Sequence, residues 1–389
     1  MKQPTIIGLY YITHINNIRS ILRHGILSHQ SILDRGIQFT PIYDADIVAN
    51  RNLRRTPDGR TLWKFANVFF QPRNPMLYRV LIEKSVEDIV VIGVRPTVLN
   101  NSALYITTGN AASQLSDILP ASQGLKQIYK IKKATDKEWW TVEDSSKREI
   151  MAECLLPDEI LPDYIQEIFV ANVETQQKVR EAISGYDIPI IREPRMFFRP
   201  YLQKELTPRL SLVEGDMFFS RMQTLTISVN VVGVMGKGLA SRAKYQFPAV
   251  YVAYQDFCRR KTIRMGKPVV YTMEISVDQQ LADEGENLRN GQLKTNFLLF
   301  PTKNHWRQIA DLEGIKQGLQ WLQTNYVKAG MESLAIPALG CGLGQLEWRV
   351  VGPLMCGYLS TLSIPVQIYL PAEKKVDGEY LTAEYLLGG

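Results

Sequence analysis

Between Thr224 and Leu370 the chain alternates short, almost wholly apolar runs with amphipathic stretches, and few folds accept that order. "TLTISVN" (Thr224–Asn230), "VVYTMEIS", "NFLLFP", "SLAIPAL" and "PVQIYL" read as strands. Strands so continuously hydrophobic need a parallel or mixed sheet covered on both faces. Residues 239–247 and 350–362 read as helices between them. Residues 311–329 do so most clearly: Leu312, Ile315, Leu319, Leu322 and Tyr326 recur at helical spacing, and Gly330 follows as a stop. Two glycine-rich loops, residues 233–238 and 340–344, each follow a strand. Glycine lets backbone N–H groups approach a ligand, and such loops beside a helix start favour phosphate. In open α/β sheets ligands sit beyond the carboxyl ends of strands. "GKGL" around Lys237 lacks the spacing and the hydroxyl residue of a nucleotide-hydrolase loop. A diphosphate-bearing ligand suits the two loops better than a transferred triphosphate.

One stretch of this half, "FLLFPTKNHWRQ", places Lys303 at the mouth of a buried strand. Its local pattern fits a solvated surface charge first; the two glycine loops in the same half make that strand exit the rim of a ligand cleft, where a lysine can be a reactive amine.

The first half is of another kind. "LYYIT" reads as a strand, and Ile15, Ile18, Ile21 and Leu22 mark one face of a short helix that stops at Gly25. A polar passage covers residues 28–61, and then "NVFFQP", "LYRVLIE", "DIVVIGV", "ALYITTG", "ECLLP" and "IQEIFVAN" read as strands. This is an α+β pattern rich in antiparallel strand. Prolines and charges cluster in residues 192–210, which marks the break between halves.

The length of 389 residues exceeds one ordinary hydrophobic core, so two domains are expected. A net charge of +6 permits a polyanionic partner without requiring one. The four cysteines, Cys154, Cys258, Cys341 and Cys356, show neither metal-ligand spacing nor a disulfide framework, and they fit a reducing cytoplasm. The N-terminus lacks a signal-peptide pattern, and no apolar stretch is long enough to span a bilayer.

In the second half "EGDMF", "VNVVGVMGKGLASRAKYQFP", "FPTKNHWR" and "IPALGCGLGQLEW" carry a resemblance, over Leu206 to Pro371, to the macrodomain of the DarG family. Those antitoxin modules remove ADP-ribose from DNA. The resemblance implies that Asp216 binds the adenine amino group and that Asn230 contacts the distal ribose. It places Gly236 and Gly238 in one ADP-ribose-binding loop, and Gly340, Cys341, Gly342 and Leu343 along the diphosphate. It makes Lys303 the catalytic lysine. The family often carries an asparagine where this chain has Ile227; a related human hydrolase has an aspartate where this chain, like DarG itself, has a glycine, Gly344.

The first half, from Thr5 to Phe198, resembles DarT, the toxin that transfers ADP-ribose from NAD to single-stranded DNA. "LYYITHINNIRSIL", "DADIVANRNLRR", "FFQPRNPMLY", "ITTGNAAS" and "KREIMAECLLP" carry this resemblance. It implies that His14 binds the NAD ribose, that Arg51 contacts the NAD phosphates and orients the attack, and that Glu153 is the catalytic glutamate. Loss of nicotinamide leaves an oxocarbenium-like ribose, which a carboxylate at its hydroxyl stabilises, and no metal is required. Arg54 and Arg55 are candidate contacts to DNA phosphates. Trp139 and Trp140 precede Glu153 in the acceptor-recognising segment; they are either base-stacking platforms or core side chains.

The expectation is therefore an α+β ADP-ribosyltransferase fold in residues 1–200, a linker at 201–206, and a three-layer α/β/α macrodomain in residues 207–389. One chain would write ADP-ribose from NAD onto a base of single-stranded DNA, thymidine first, and also erase it. Two alternatives stand beside this: a macrodomain that binds ADP-ribose without turnover, and the same chemistry on guanine, RNA or protein.

Overall fold

The computed structural model describes residues 6–43 and 45–388; Thr5 and Asp44, which fall in the stretches of resemblance above, lie outside them. The chain forms two compact units. One runs to Phe198 and takes in Asp278–Gly291; the other holds Arg199–Val277 and everything from Gln292 onward.

The first unit contains β1 (Leu9–His14), β2 (Ile26–Leu27), β3 (Phe65–Phe69), β4 (Ile89–Val94), β5 (Tyr105–Thr107), β6 (Ile118–Pro120), β7 (Glu153–Pro157), β8 (Glu159–Ile160), β9 (Ile165–Val170) and β10 (Ile190–Arg192). Eight of these make one sheet in the order β10-β9-β4-β1-β3-β7-β5-β6, and β2 pairs with β8 separately. Neighbours are antiparallel apart from β10 with β9. Period-two alternation sorts the side chains. Leu9, Val68, Val90, Ile92, Cys154, Leu156 and Ile168 point into the main core with Ile18, Ile21 and Leu22 of the helix Ile18–His24. Phe65, Tyr105 and Leu155 share the opposite face with Leu62 and Ala111 in a smaller cluster.

"LYRVLIE" is not the expected strand but the body of a helix, Pro75–Glu83. Its start is set locally. Pro75 occupies the first turn, where a missing N–H costs nothing, and the Asn74 side chain accepts from Leu77 N. The polar passage likewise holds two helices, His29–Asp34, capped by Ser28, and Ala45–Leu53, which buries no side chain.

The second unit contains β11 (Leu202–Thr207), β12 (Leu210–Glu214), β13 (Thr224–Asn230), β14 (Val269–Met273), β15 (Thr295–Lys303), β16 (Leu334–Pro337) and β17 (Val366–Tyr369). Their order is β11-β12-β17-β16-β13-β15-β14, with the five inner strands parallel and both edges antiparallel. Residues 201–206, expected as a linker, fall mostly within β11, which pairs with β12 from Leu202↔Glu214 to Thr207↔Leu210. "LQKELT" reads as polar because an edge strand buries little; Leu202 itself is 37% exposed.

Helices Leu312–Asn325 and Trp348–Leu359 cover one face through Ile315, Leu319, Leu322, Val351 and Met355 against Leu298, Phe300 and Ile336. On the other face Phe247, at the junction of helices Gly238–Gln246 and Pro248–Arg259, packs its ring 5.3 Å from that of Phe297. The result is the expected α/β/α layering. Among the described residues no helix is long and apolar enough to cross a membrane, and all four cysteines are unpaired.

Leu319 is 1% exposed at the centre of the first helix layer. Leu319→Ala is expected to destabilise the second unit by about 2–5 kcal/mol, measured by denaturant unfolding of the full chain.

Candidate active sites

In the first unit the site is built around Glu153, the first residue of β7 and only 1% exposed. A carboxylate so placed must be paired and hydrogen-bonded. Arg51 supplies a forked pair, Nη1 to Oε1 at 3.3 Å and Nη2 to Oε2 at 2.9 Å. Asn67 Nδ2 donates to Oε2 at 2.9 Å and Ala111 N to Oε1 at 2.9 Å. The backbone is pinned as well: Glu153 N donates to Thr107 Oγ1 at 2.8 Å, and that hydroxyl donates to Gly109 O at 2.6 Å. Four donors from three chain segments thus fix one charge.

Strand pairing explains the convergence. Asn67 and Phe69 share a face of β3, and Phe69 is opposite Glu153. Thr107 sits on the neighbouring β5. Arg51 comes from outside the sheet, in the last turn of helix Ala45–Leu53. With no buried side chain, that helix is held by polar ties: Arg51 itself, and Trp63 Nε1 donating to Val48 O at 2.9 Å.

His14 lies on the same sheet face, because Tyr10 is opposite Phe69 and residues 10, 12 and 14 alternate together. Four residues of strand put it about 13 Å along from the Glu153 position. Its Nδ1 accepts from Asn16 N at 3.1 Å, and burial pulls its pKa below the usual imidazole value. Asn67, Thr107 and the Ala111 amide were not singled out by sequence. A lone asparagine in a strand carries no signal until β3 and β7 are known to be neighbours.

The proposed DNA contacts fare differently. Trp140 is fully buried and its Nε1 donates to Leu281 O at 2.9 Å, so it is a core side chain and not a base-stacking platform. Arg54 is half-buried and braces the loop ahead of β6, with Nη1 on Gln114 Oε1 at 2.8 Å and Nη2 on Ser116 O at 2.7 Å. Trp139 is half-buried. Arg55 is exposed and donates to Gly59 O at 2.8 Å.

In the second unit the candidate residues gather at the carboxyl ends of β16, β13 and β15. β13 has β15 on one side and β16 on the other, so the strand order reverses there, where such sheets bind ligands. Asn230 ends β13 and is in register with Lys303, which ends β15. Lys303 Nζ donates to Leu343 O at 3.2 Å, tying the lysine to the second glycine loop. Burial lowers the Lys303 pKa below the ordinary lysine value.

Asn230 is 6% exposed and organises the first loop: Nδ2 donates to Val234 O at 2.6 Å, and Oδ1 accepts from Val232 N at 3.0 Å. The fully buried Tyr254 hydroxyl lies 2.9 Å from both Asn230 O and Oδ1. Gly236 lies in this loop and Gly238 starts the following helix, where a Cβ would meet Leu343 at 3.3 Å; the two loops therefore touch. Ile227 is fully buried.

Gly340 has φ of +75°, and a Cβ there would come within 2.9 Å of Leu346 and Ala310. At Gly344 a Cβ would be 2.4 Å from Gly340 O. No acidic side chain fits there in this loop conformation. Gly342 faces the Glu373 carboxylate, 3.1 Å from where its Cβ would be. Burial pushes the Cys341 thiol up to about 12, so it is neutral and no nucleophile. Leu343 is exposed. Asp216 sits just past β12, where Arg242 Nη1 donates to both carboxylate oxygens at 2.8 Å and Oδ1 also accepts from Phe218 N. The Arg242 guanidinium lies over the Phe218 and Phe219 rings at 5.1 and 5.7 Å.

Comparison with known proteins assigns both halves. The family model described as "ssDNA thymidine ADP-ribosyltransferase, DarT" matches residues 10–198. The chain is 52% identical over 385 residues, 99% of each protein, to the "DNA ADP-ribosyl transferase-DNA ADP-ribosyl glycohydrolase fusion protein" of Thermosipho africanus (strain H17ap60334). The structure described as Thermosipho africanus DarTG in complex with ADP-ribose matches it with a TM-score of 0.92 and 50% identity, over 98% of this chain and all of that one. The "DNA ADP-ribosyl glycohydrolase" of Thermus aquaticus is 34% identical over 165 residues, 42% of each chain. The chain belongs to the family in which a DarT transferase and a DarG macrodomain glycohydrolase are joined in one polypeptide.

Proposed function

We propose that this chain transfers ADP-ribose from NAD to thymidine in single-stranded DNA with its first unit, and removes it with its second. The observation that carries the first half is the buried Glu153 carboxylate held by Arg51, Asn67 and the Ala111 amide. In the transfer the bond from the ribose anomeric carbon to nicotinamide breaks and neutral nicotinamide leaves; a thymine ring nitrogen forms the new bond and gives up its proton to water. Glu153 meets the ribose hydroxyl and stabilises the positive charge that develops between those events. Arg51 holds Glu153 through its two terminal nitrogens, which leaves its Nε edge for the NAD phosphates. His14, well along the same face, suits the far end of an extended dinucleotide.

In the second unit Asn230 and its loop shape the ribose subsite, and residues 340–343 supply backbone N–H groups for the diphosphate. Lys303 acts as the amine. Its lowered pKa enlarges the neutral fraction, and only a neutral amine has the lone pair needed to attack the anomeric carbon as its bond to the DNA base breaks; the base leaves with the amine's proton, and the adduct opens to a Schiff base that water hydrolyses to free ADP-ribose. Gly344 leaves it without an acid from that loop.

Three outcomes are expected. Glu153→Ala should form no adduct on any oligonucleotide, while the unaltered chain modifies single strands containing thymidine and spares those lacking it; equal modification of thymidine-free strands would overturn the base assignment. Asn67→Ala should slow nicotinamide release about 10-fold, the worth of a hydrogen bond to a charged group. Asn67→Asp should slow it further, because a second carboxylate then opposes Glu153. Finally, removal of ADP-ribose from pre-modified DNA should rise with pH and level off at a midpoint below that of an ordinary lysine. Lys303→Arg should abolish it despite keeping the charge. A rate that falls over the same range would assign the work to the charged amine instead.

A further inference from the structure

Residues 278–291 belong to the first unit, although about eighty residues of chain separate them from its last contiguous residue, Phe198. We infer that this segment is a positioning element of the transferase, holding the helix that carries Arg51 and the stretch of chain that leads to Glu153.

The ties run in three directions. Toward Arg51, Tyr43 OH donates to Asp283 Oδ2 at 3.2 Å. Tyr43 stands two residues before the helix Ala45–Leu53, which buries no side chain of its own and so depends on such anchors. Toward Glu153, the indole of the fully buried Trp140 donates to Leu281 O at 2.9 Å. From Trp140 the chain runs through the short helix Ser146–Glu149 directly into β7.

Between these, the helix Pro75–Glu83 grips the segment at both ends. Tyr78 OH donates to Asp278 Oδ1 at 2.8 Å, and Glu83 Oε1 accepts from Arg289 N at 2.8 Å. Asp283 N donates to Pro75 O at 3.1 Å. Arg79, only 3% exposed, donates to three carbonyls: Asp283 O at 3.2 Å, Glu284 O at 2.7 Å and Asn287 O at 3.3 Å. Glu284 has φ of +44°, a conformation disfavoured for any residue with a side chain, and the Arg79 bond to its carbonyl supports it. A guanidinium buried under three carbonyls fixes the path of the segment, since losing it leaves buried acceptors unmet.

The segment lies between β14 and β15, deep in the sequence that builds the second unit. A chain ending at Phe198 therefore lacks part of the transferase. In this family member the writer's competence would depend covalently on sequence that lies inside the eraser.

This rests on the reading of Glu153 and Arg51 as transferase groups, and the test separates the two. Nicotinamide release from NAD with a single-stranded oligonucleotide is followed in full-length Tyr43→Phe, Arg79→Lys and Arg79→Met, with Glu153→Ala alongside and ADP-ribose binding to the second unit as a fold control. Tyr43→Phe should lower kcat several-fold with the KM for NAD little changed. Arg79→Met should lower it more than 10-fold, and Arg79→Lys should recover part of that, all with ADP-ribose binding unaltered. Unchanged kcat in Tyr43→Phe and Arg79→Met, with Glu153→Ala inactive, would overturn this inference alone. A rate loss that only tracks the fraction of protein folded would also overturn it, by reducing the segment to a structural part. An active Glu153→Ala would instead overturn the catalytic reading beneath it.

Discussion

Glu153 puts a carboxylate at the head of a strand whose next three residues are buried hydrocarbon or thiol, and almost none of it reaches water. Such a charge is tolerable only where donors are fixed around it. That requirement explains much of the first unit. It recruits Asn67 from the adjacent strand, an amide from the loop after β5, and Arg51 from a helix with no hydrophobic anchor of its own. Donors already aimed at a charge cost no reorganisation when further charge develops beside it, and this is the usual source of catalytic stabilisation at an ionised site.

The second unit meets a different constraint. Its inner strands are parallel and covered on both faces, so a polar ligand finds open backbone only at their carboxyl ends. Glycines stand at the points of closest approach there. Gly238 lies against Leu343, Gly340 against Ala310 and Leu346, and Gly344 against the Gly340 carbonyl. Lys303 is the long polar group at that rim, held to the second loop through the Leu343 carbonyl and beside Asn230 through strand register. The same crowding excludes an acid at position 344.

What the sequence made legible follows from how local each signal is. The helix Leu312–Asn325 was readable because Ile315, Leu319 and Leu322 repeat with the helical period, and the parallel strands because they are apolar throughout. "LYRVLIE" misled because its apolar content fits a strand as well as a helix; the deciding signal was the Asn74–Pro75 start just before it. β11 was hidden by its polar edge composition. The ties of residues 278–291 were out of reach altogether. Trp140 stays open between a base-stacking platform and a core side chain until its partner, 141 residues away, is known, and the burial of Arg79 depends on carbonyls more than 200 residues distant. Arg54 likewise reads as one of a basic cluster until the loop it braces is in place. Family resemblance named Glu153, Arg51 and Lys303; the Asn67 and Ala111 donors came only from the fold.

The central claim is that one polypeptide both writes and erases the same mark. A time course of one thymidine-containing single strand with limiting NAD, read by intact mass, addresses it most directly. The unaltered chain should raise the ADP-ribosylated mass and then return the strand to its starting mass once NAD is exhausted, while Lys303→Ala should hold the raised mass indefinitely. A modified strand that persists equally with both proteins, or that never forms with either, would contradict the account.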